Sequence, residues 1–315
     1  VLVKGYGGAR GEQRVLIASL SKAITATCTA ALIQSGKLRF ETTLEEVLPA
    51  RYGKPADPRL RTVTIAQLLT HRAGFSRAAG GDPATGATLA EVLARRAVSQ
   101  ATMHDLVPGV LRARLEHEPG TTYAYTNATY LLLGIAIEQI TGKRYADHCG
   151  ASVLEPHGVK DPQLHPTWHM LGSFGGWNLS GPEYLAFLRD FAPGSAFFGT
   201  EARQFLVGGA GKEISSTGPV FYSFILVRPL SSGGHNFFHA GSWGYRSPAS
   251  SPSGWMEDSI GALAVSAAFG ASWFAWFEPR PSDTARAALD RELYRAAESV
   301  RRWSGDNRFA PLGLR

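Results

Sequence analysis

Cysteine is nearly absent from this chain: Cys28 and Cys149 are the only two in 315 residues. Two cysteines cannot make a disulfide framework, and Cys28 falls inside a run of small residues that reads as a core helix. So low a count fits the cytoplasm and is equally compatible with the periplasm. His148 beside Cys149 is a poor chelating arrangement, and no metal is expected there. No apolar run is long enough to span a membrane, and no signal peptide is present. The chain opens on Val1-Leu2-Val3-Lys4, without Met and reading as the inside of a strand. An N-terminal segment is therefore expected to be missing, and the lack of a signal decides nothing about compartment. Charge is not concentrated either. The net charge of +6 and pI near 9.4 come from scattered arginines, with a modest cluster at Arg295, Arg301 and Arg302. No Lys/Arg block with interleaved aromatics is present, so no nucleic-acid partner is expected. The strings G-x-S-x-G, G-x-G-x-x-G and the P-loop are missing. That argues against an α/β-hydrolase elbow, a dinucleotide site and a nucleotide-phosphate cradle.

What is present is an ordinary globular composition, 44% hydrophobic and 18% charged, in a chain long enough to bury a substantial core. Apolar patterning predicts strands near Leu2–Tyr6, Arg14–Ala18, Val220–Arg228, Asn236–His239, Ile260–Ala268 and Ser272–Phe277. It predicts helices near Leu20–Ser35, Ile65–His71, Leu89–Val98, Ala128–Thr141, Pro182–Phe191, Glu201–Val207 and Thr284–Trp303. Thr88-x-x-Glu91 and Ser180-x-x-Glu183 fit the capping-box pattern. Strands at both ends and helices between them predict an α+β fold: one antiparallel sheet built from the two chain ends, with an inserted helical region. Arg77–Thr88, Pro229–Gly234 and Arg246–Ser259 read as mobile loops.

The strongest chemical signal is Ser19-Leu20-Ser21-Lys22, between the apolar run Val15–Ala18 and a small-residue helix that stops at Gly36. Near a helix start, Ser19 and Lys22 share a face. A serine hydroxyl is a weak nucleophile until a neighbour takes its proton, and a desolvated lysine amine can do so. Backbone N–H groups at the helix start can meet an oxyanion. Such a string arises by chance about once in a chain of this length, so the surrounding text matters. Tyr125-Thr126-Asn127 follows the Pro119-Gly120 turn and precedes the helix Ala128–Thr141. There a phenol can relay a proton and an amide can hold a substrate carbonyl or the lysine amine, or else Asn127 is simply the helix N-cap. His239-Ala240-Gly241-Ser242 ends a strand, where Gly241 permits close approach and the Ser242 N–H is a candidate second oxyanion donor.

In this order the three motifs resemble those of the penicillin-recognising serine hydrolases: class C β-lactamases, serine D-Ala-D-Ala peptidases, D-aminopeptidases and related esterases. Leu68-Leu69-Thr70-His71-Arg72-Ala73-Gly74 is similar to that superfamily's "LLTHTSG" segment. Tyr125 to Gly134 is similar to "YSNxxYxLLG", and Gly175-Gly176-Trp177 to the Gly-Gly segment before a capped helix. The resemblance implies a single β-lactamase-like catalytic domain over 1–315, with an α/β lobe of about 1–40 and 210–315 and a helical lobe of about 41–209. It implies that Ser19 is the nucleophile, that Lys22 and Tyr125 share the proton transfers, and that Asn127 orients the substrate or Lys22. His239, Gly241 and Ser242 would then complete the substrate-binding and oxyanion side.

One departure bears on the substrate. His239 stands where penicillin-binding members often carry Lys, and a mostly neutral imidazole suits a substrate carboxylate less well than a permanent cation. Arg246 is a candidate for that charge, with a solvated arginine as the blander reading. Trp273, Phe274, Trp276 and Phe277 read as core before they read as an acyl pocket. His165 and His169 are spaced i,i+4, but Pro166 disfavours a helix there, and His71 reads as a backbone-bonding residue near the cleft. The expected activity is ester, amide or D-peptide hydrolysis of a small substrate through an acyl-enzyme, with no cofactor and no metal. β-Lactam hydrolysis or acyl transfer on the same site is the alternative, and a non-catalytic binding protein is the alternative of another class.

Overall fold

The computed structural model describes residues 3–77, 81–84, 87–209, 212–214, 218–247, 256–301 and 309–315. Strand β1 (Val15–Leu16) leads through a 3-10 turn, Ala18–Leu20, into helix α1 (Ser21–Gln34). The middle of the chain holds α2 (Leu44–Val47), α3 (Ile65–Leu69), α4 (Ala87–Leu93), α5 (Met103–Arg112), α6 (Asn127–Thr141) and α7 (Tyr145–Cys149). Strand β2 (Gln163–Leu164), α8 (Gly172–Gly175), β3 (Trp177–Leu179), α9 (Gly181–Leu188) and α10 (Thr200–Val207) follow. The chain then forms β4 (Phe221–Tyr222), β5 (Leu226–Pro229), β6 (His235–Ser247), β7 (Met256–Ser266), β8 (Ser272–Phe277) and α11 (Asp283–Ser299).

This is the expected α+β arrangement, with one difference in the sheet. The five-stranded antiparallel sheet runs β4-β5-β6-β7-β8 and is built wholly from the C-terminal part of the chain. Strand β1 pairs instead with β3, and β3 with β2, in a separate three-stranded sheet. The physical reason is length: β1 ends after two residues because the backbone turns sharply at Ala18, φ +47°. It is not paired with β8 but meets it through a side chain, the Trp276 indole donating to the Leu16 carbonyl at 3.2 Å. The strand expected over Leu2–Tyr6 is not formed by residues 3–6, and position 2 lies outside the described residues. Much of the expected Arg246–Ser259 loop (248–255) and parts of Arg77–Thr88 (78–80, 85 and 86) also lie outside them.

The large sheet is covered on both faces, as the period-two alternation of β7 requires. Ile260, Ala262 and Ala264 face the main core, whereas Leu263 and Val265 join Trp273 in a second cluster under Leu293, Tyr294 and Ala297 of α11. The aromatic run of β8 packs on both clusters: Trp273 is buried, while Phe274, Trp276 and Phe277 are half-buried against them, with Phe274 on Tyr184 of α9 at a ring-centroid distance of 5.7 Å. Helix α1 is buried nearly all round, threonines included, which marks it as the central helix of the main core. Its buried Ser21, Thr25 and Thr29 hydroxyls are hydrogen-bonded, whereas Thr27 Oγ1 has no partner among the described residues. Thr25 donates to the Ser173 carbonyl at 2.5 Å and bonds the Tyr145 hydroxyl at 2.7 Å.

Three local expectations need correcting. Cys28 is a core residue, but it is also disulfide-bonded to Cys149 at the end of α7, Cα atoms 5.5 Å apart across a sequence separation of 121. Nothing in the local sequence around either cysteine signals a partner so far away. Helix α4 starts at Ala87, so Thr88 lies within the helix and is not its cap. Helix α5 lies outside the predicted helices, and it carries in its interior Pro108, a residue type that disfavours helix. Its signal was the Thr102-x-x-Asp105 capping box, which is formed. The box at Ser180 and Glu183 is formed as read.

Candidate active site

Ala18 holds a left-handed backbone conformation that alanine rarely adopts, and this turn carries Ser19 between β1 and α1. Lys22 follows in the first turn of α1, and its side chain is wholly buried. Its Nζ lies 3.2 Å from Ser19 Oγ, 2.6 Å from Asn127 Oδ1 and 2.8 Å from the Phe174 carbonyl. Two neighbours are pure acceptors and the third is a hydroxyl. An ammonium donates to all three, whereas the neutral amine, with two N–H donors and one lone pair, donates to the two carbonyls and leaves its lone pair toward Ser19. Burial is the chief cause that brings the Lys22 pKa down to about 7. Asp82 opposes the shift and Arg77 adds to it.

Asn127 is not the helix cap. Thr126 takes that role, its hydroxyl accepting from the Ala128 N–H at 3.3 Å. Asn127 is instead the first residue of α6, with its amide turned toward Lys22 on one side and Asp82 on the other. Asn127 Nδ2 donates to Asp82 Oδ1 at 2.9 Å and its backbone N–H to Asp82 Oδ2 at 3.1 Å. Asp82 was not among the expected site residues. Its sequence signal, an acid in a Gly/Ala-rich loop before Pro83, reads only as a turn. Its carboxylate is fully buried, accepts from the Ala84 N–H at 2.9 Å, and pairs with Arg77 Nε at 3.2 Å.

Tyr125 reaches the same point from the loop before α6. The Lys22 amine sits 5.0 Å from its ring centroid, and the Ser19 side chain acts on its phenol, partly offsetting the effect of burial. Burial pushes its phenol far above the usual range, so it is protonated at neutral pH. Behind it lies a cluster of rings. His71 is 4.4 Å from Tyr125 and 4.5 Å from Tyr222, and Tyr125 is 6.1 Å from His239. His71 bonds locally, as anticipated: Nδ1 lies 2.9 Å from Thr129 Oγ1 and takes the Thr126 N–H at 3.5 Å. Desolvation first, and then the Lys22 charge, hold its pKa well below the ordinary histidine value.

Strand β6 forms the opposite wall. It pairs with β7 from Phe237 to Ser247 but with β5 only from His235 to Phe238, so from His239 onward its second edge faces the Ser19 turn. The approach is close: a Cβ on Gly241 would stand 2.7 Å from the Ile17 carbonyl oxygen and 3.1 Å from the Ser19 nitrogen. Only glycine fits there without movement. Ser242 follows, half-buried. His239 is buried, with Nδ1 2.7 Å from its neighbour's carbonyl (Ala240) and Nε2 3.0 Å from the Tyr222 hydroxyl. These partners assign the proton to Nδ1 and make Nε2 the acceptor. Burial, reinforced by the Lys22 charge, brings the His239 pKa down to about 3, so the imidazole is neutral. Arg246 does not supply a cation to the cleft. It is exposed on β6 and paired with Glu257 at 2.6 Å. His165 is turned to its own backbone, accepting from the N–H groups of Thr167 and Trp168 at 3.3 Å. Among the described residues no group of His, Cys, Asp and Glu side chains is arranged to hold a metal ion, and no helix is long and apolar enough to cross a membrane.

The structure thus gathers Ser19, Lys22, Tyr125 and Asn127 at one point and sets His239 and Gly241 across from them. Residues 1–169 match the protein family described as Beta-lactamase. The chain belongs to that family. Among curated relatives of this β-lactamase-family chain, Protein flp of Staphylococcus aureus (strain MW2) is 25% identical over 176 residues, 53% of this chain and 32% of the relative. Penicillin-binding protein 4 of Amycolatopsis lactamdurans is 27% identical over 218 residues, 60% of this chain and 54% of the relative. The chain thus spans about a third to a half of the length of these relatives. Among solved structures, the fold is shared with a D-stereospecific amidohydrolase from Streptomyces sp., at a TM-score of 0.69 and 20% identity, covering 91% of this chain and 88% of that one. It is shared equally with a β-lactamase/D-alanine carboxypeptidase from Yersinia pestis, at a TM-score of 0.69 and 16% identity, covering 92% and 84%. The fold is that of the serine hydrolases of this family.

Proposed function

We propose that this chain is a serine hydrolase that cleaves an amide or ester of a small, D-amino-acid-like substrate through an acyl-enzyme on Ser19. The observation that carries the reading is the buried Lys22 amine held by Ser19 Oγ, Asn127 Oδ1 and the Phe174 carbonyl, an arrangement in which the neutral amine has its lone pair toward Ser19. With a pKa near 7, about half of the lysine is the free base at neutral pH. Lys22 therefore takes the Ser19 proton as Oγ attacks the carbonyl carbon. Tyr125 is a protonated phenol beside Ser19, which suits it to pass a proton to the leaving amine or alkoxide as the C–N or C–O bond breaks. Water then attacks the acyl carbon, gives up a proton to the same pair, and releases the acid and free Ser19.

The oxyanion would be met by the Ser19 N–H and by the strand at Gly241–Ser242, whose closeness to Ser19 the bare glycine permits. The neutral His239 and the outward pairing of Arg246 favour a substrate without a carboxylate at that position. An amide or ester is therefore favoured over a β-lactam or a D-Ala terminus. This matches the D-stereospecific amidohydrolase among the structural neighbours. The test is turnover of a panel of D- and L-amino-acid amides, p-nitrophenyl esters and a chromogenic β-lactam, beside Ser19→Ala. Amide or ester turnover that exceeds β-lactam turnover and vanishes in the variant supports the reading. β-Lactam turnover above all others would contradict the substrate assignment.

A further inference from the structure

Behind Lys22 the hydrogen-bonded chain continues where a serine–lysine pair alone would not require it. Arg77 Nε bonds Asp82, Asp82 takes both the backbone N–H and the Nδ2 of Asn127, and Asn127 Oδ1 takes the Lys22 amine at 2.6 Å. An ionised carboxylate only accepts, so it admits one orientation of the Asn127 amide, with Nδ2 inward and Oδ1 on Lys22. A buried ion pair is weak evidence for stability. Full burial of Asp82 beside a half-exposed Arg77 therefore calls for another reason to be there.

We infer that Asp82 is a positioning residue of this site. Its carboxylate fixes the Asn127 amide on Lys22, and together with Arg77 it sets the charge under which the Lys22 amine gives and takes the Ser19 proton. The inference rests on the proposed role of Lys22. The other ionisable groups facing that amine are uncharged at neutral pH. Burial holds Tyr125 and Tyr130, whose rings lie 5.0 and 5.8 Å from Nζ, in the phenol form. Burial likewise holds His71 and His239 in the neutral imidazole form. Among the described residues, Asp82 and Arg77 are thus the two charged groups acting on Lys22, and they act with opposite sign. The negative one favours the ammonium and the positive one the free amine.

The experiment is the rate of fluorophosphonate labelling of Ser19 against pH, read by intact mass, for the whole chain and for Asp82→Asn, Arg77→Gln and Arg77→Lys. In the parent the rate rises as Lys22 loses its proton. Asp82→Asn removes the negative neighbour, so the midpoint moves about one pH unit lower. The plateau also falls, because the amide is no longer held. Arg77→Gln removes the positive neighbour and moves the midpoint upward, and Arg77→Lys restores it. General loosening of the loop would lower all rates together without shifting midpoints in opposite directions. Midpoints that stay at the parent value, or that move the same way in both variants, would overturn the inference while leaving Ser19–Lys22 chemistry intact. Failure of the parent itself to label at Ser19 would overturn both. If Asp82→Asn does not give a cooperative thermal transition, the Arg77 pair, on a half-exposed side chain, carries the test.

Discussion

On the helical side of the cleft, Lys22, Asp82 and Arg77 are ionisable groups joined through Asn127 in one hydrogen-bonded chain. On the strand side, His239 is neutral and held by Tyr222, Arg246 is turned outward to Glu257, and the point nearest Ser19 is a glycine. One wall manages protons and charge, and the other offers backbone and a close approach. Under the proposed mechanism, this contrast is what makes the buried Lys22 a base. Its acceptors, its charged neighbours and its desolvation all come from one side, while the opposite side is kept from adding a charge that would compete.

The contrast can be broken most completely at Ser19. Ser19→Ala should reduce both turnover and fluorophosphonate labelling to background while leaving thermal unfolding nearly unchanged. Lys22→Met should come next, with labelling lower by about 10²–10⁴-fold, the usual worth of a general base. It should also change how stability depends on pH. The folded pKa of Lys22, about 7, lies below its unfolded value of 10.5, so between those values the unfolded chain binds the extra proton. Stability of the parent relative to Lys22→Met should therefore rise as pH rises from 7 to about 10.5 and be flat below 7, as denaturant titrations at several pH values would show.

The strand side should answer to shape. Gly241→Ala places a Cβ 2.7 Å from the Ile17 carbonyl oxygen and should cut acylation by about 10²–10³-fold if it displaces an oxyanion donor. Little loss in labelling would show that the strand need not approach Ser19 so closely. The smallest effect is expected at the groups that carry no charge into the cleft. His239→Gln should change turnover less than about tenfold and leave the pH profile between 5 and 9 in place. A lost ionisation in that profile would show that His239 titrates and that the strand side is not neutral. Arg246→Ala should be smaller still, since an exposed ion pair contributes little.

These expectations divide along the line of what a sequence carries. Ser19, Lys22, Tyr125 and Asn127 were legible because each belongs to a short motif with local chemistry, and so was the close approach at Gly241, although the strand does not end at His239 in a glycine turn but runs through Gly241 to Ser247. The helices from Ser21 and Asn127 and the strands of the large sheet followed from apolar period. Asp82 was not legible. Its partner Asn127 is 45 residues away in sequence, and an acid before a proline in a Gly/Ala-rich loop signals only a turn. The Cys28–Cys149 bond hid for the same reason, with 121 residues between partners. The separate sheet of β1, β2 and β3 was missed because strands of two or three residues have too short a period to read. Pairing at a distance is set by packing, and no local pattern records it.

The most direct test of the central claim is the pH dependence of Ser19 labelling in the parent protein, measured from pH 5 to 9 with the modified peptide identified by mass. The account predicts a single adduct on Ser19 whose rate rises through a midpoint near the Lys22 pKa of about 7. An adduct elsewhere, or a Ser19 rate that is flat across this range, would contradict a buried lysine amine as the base.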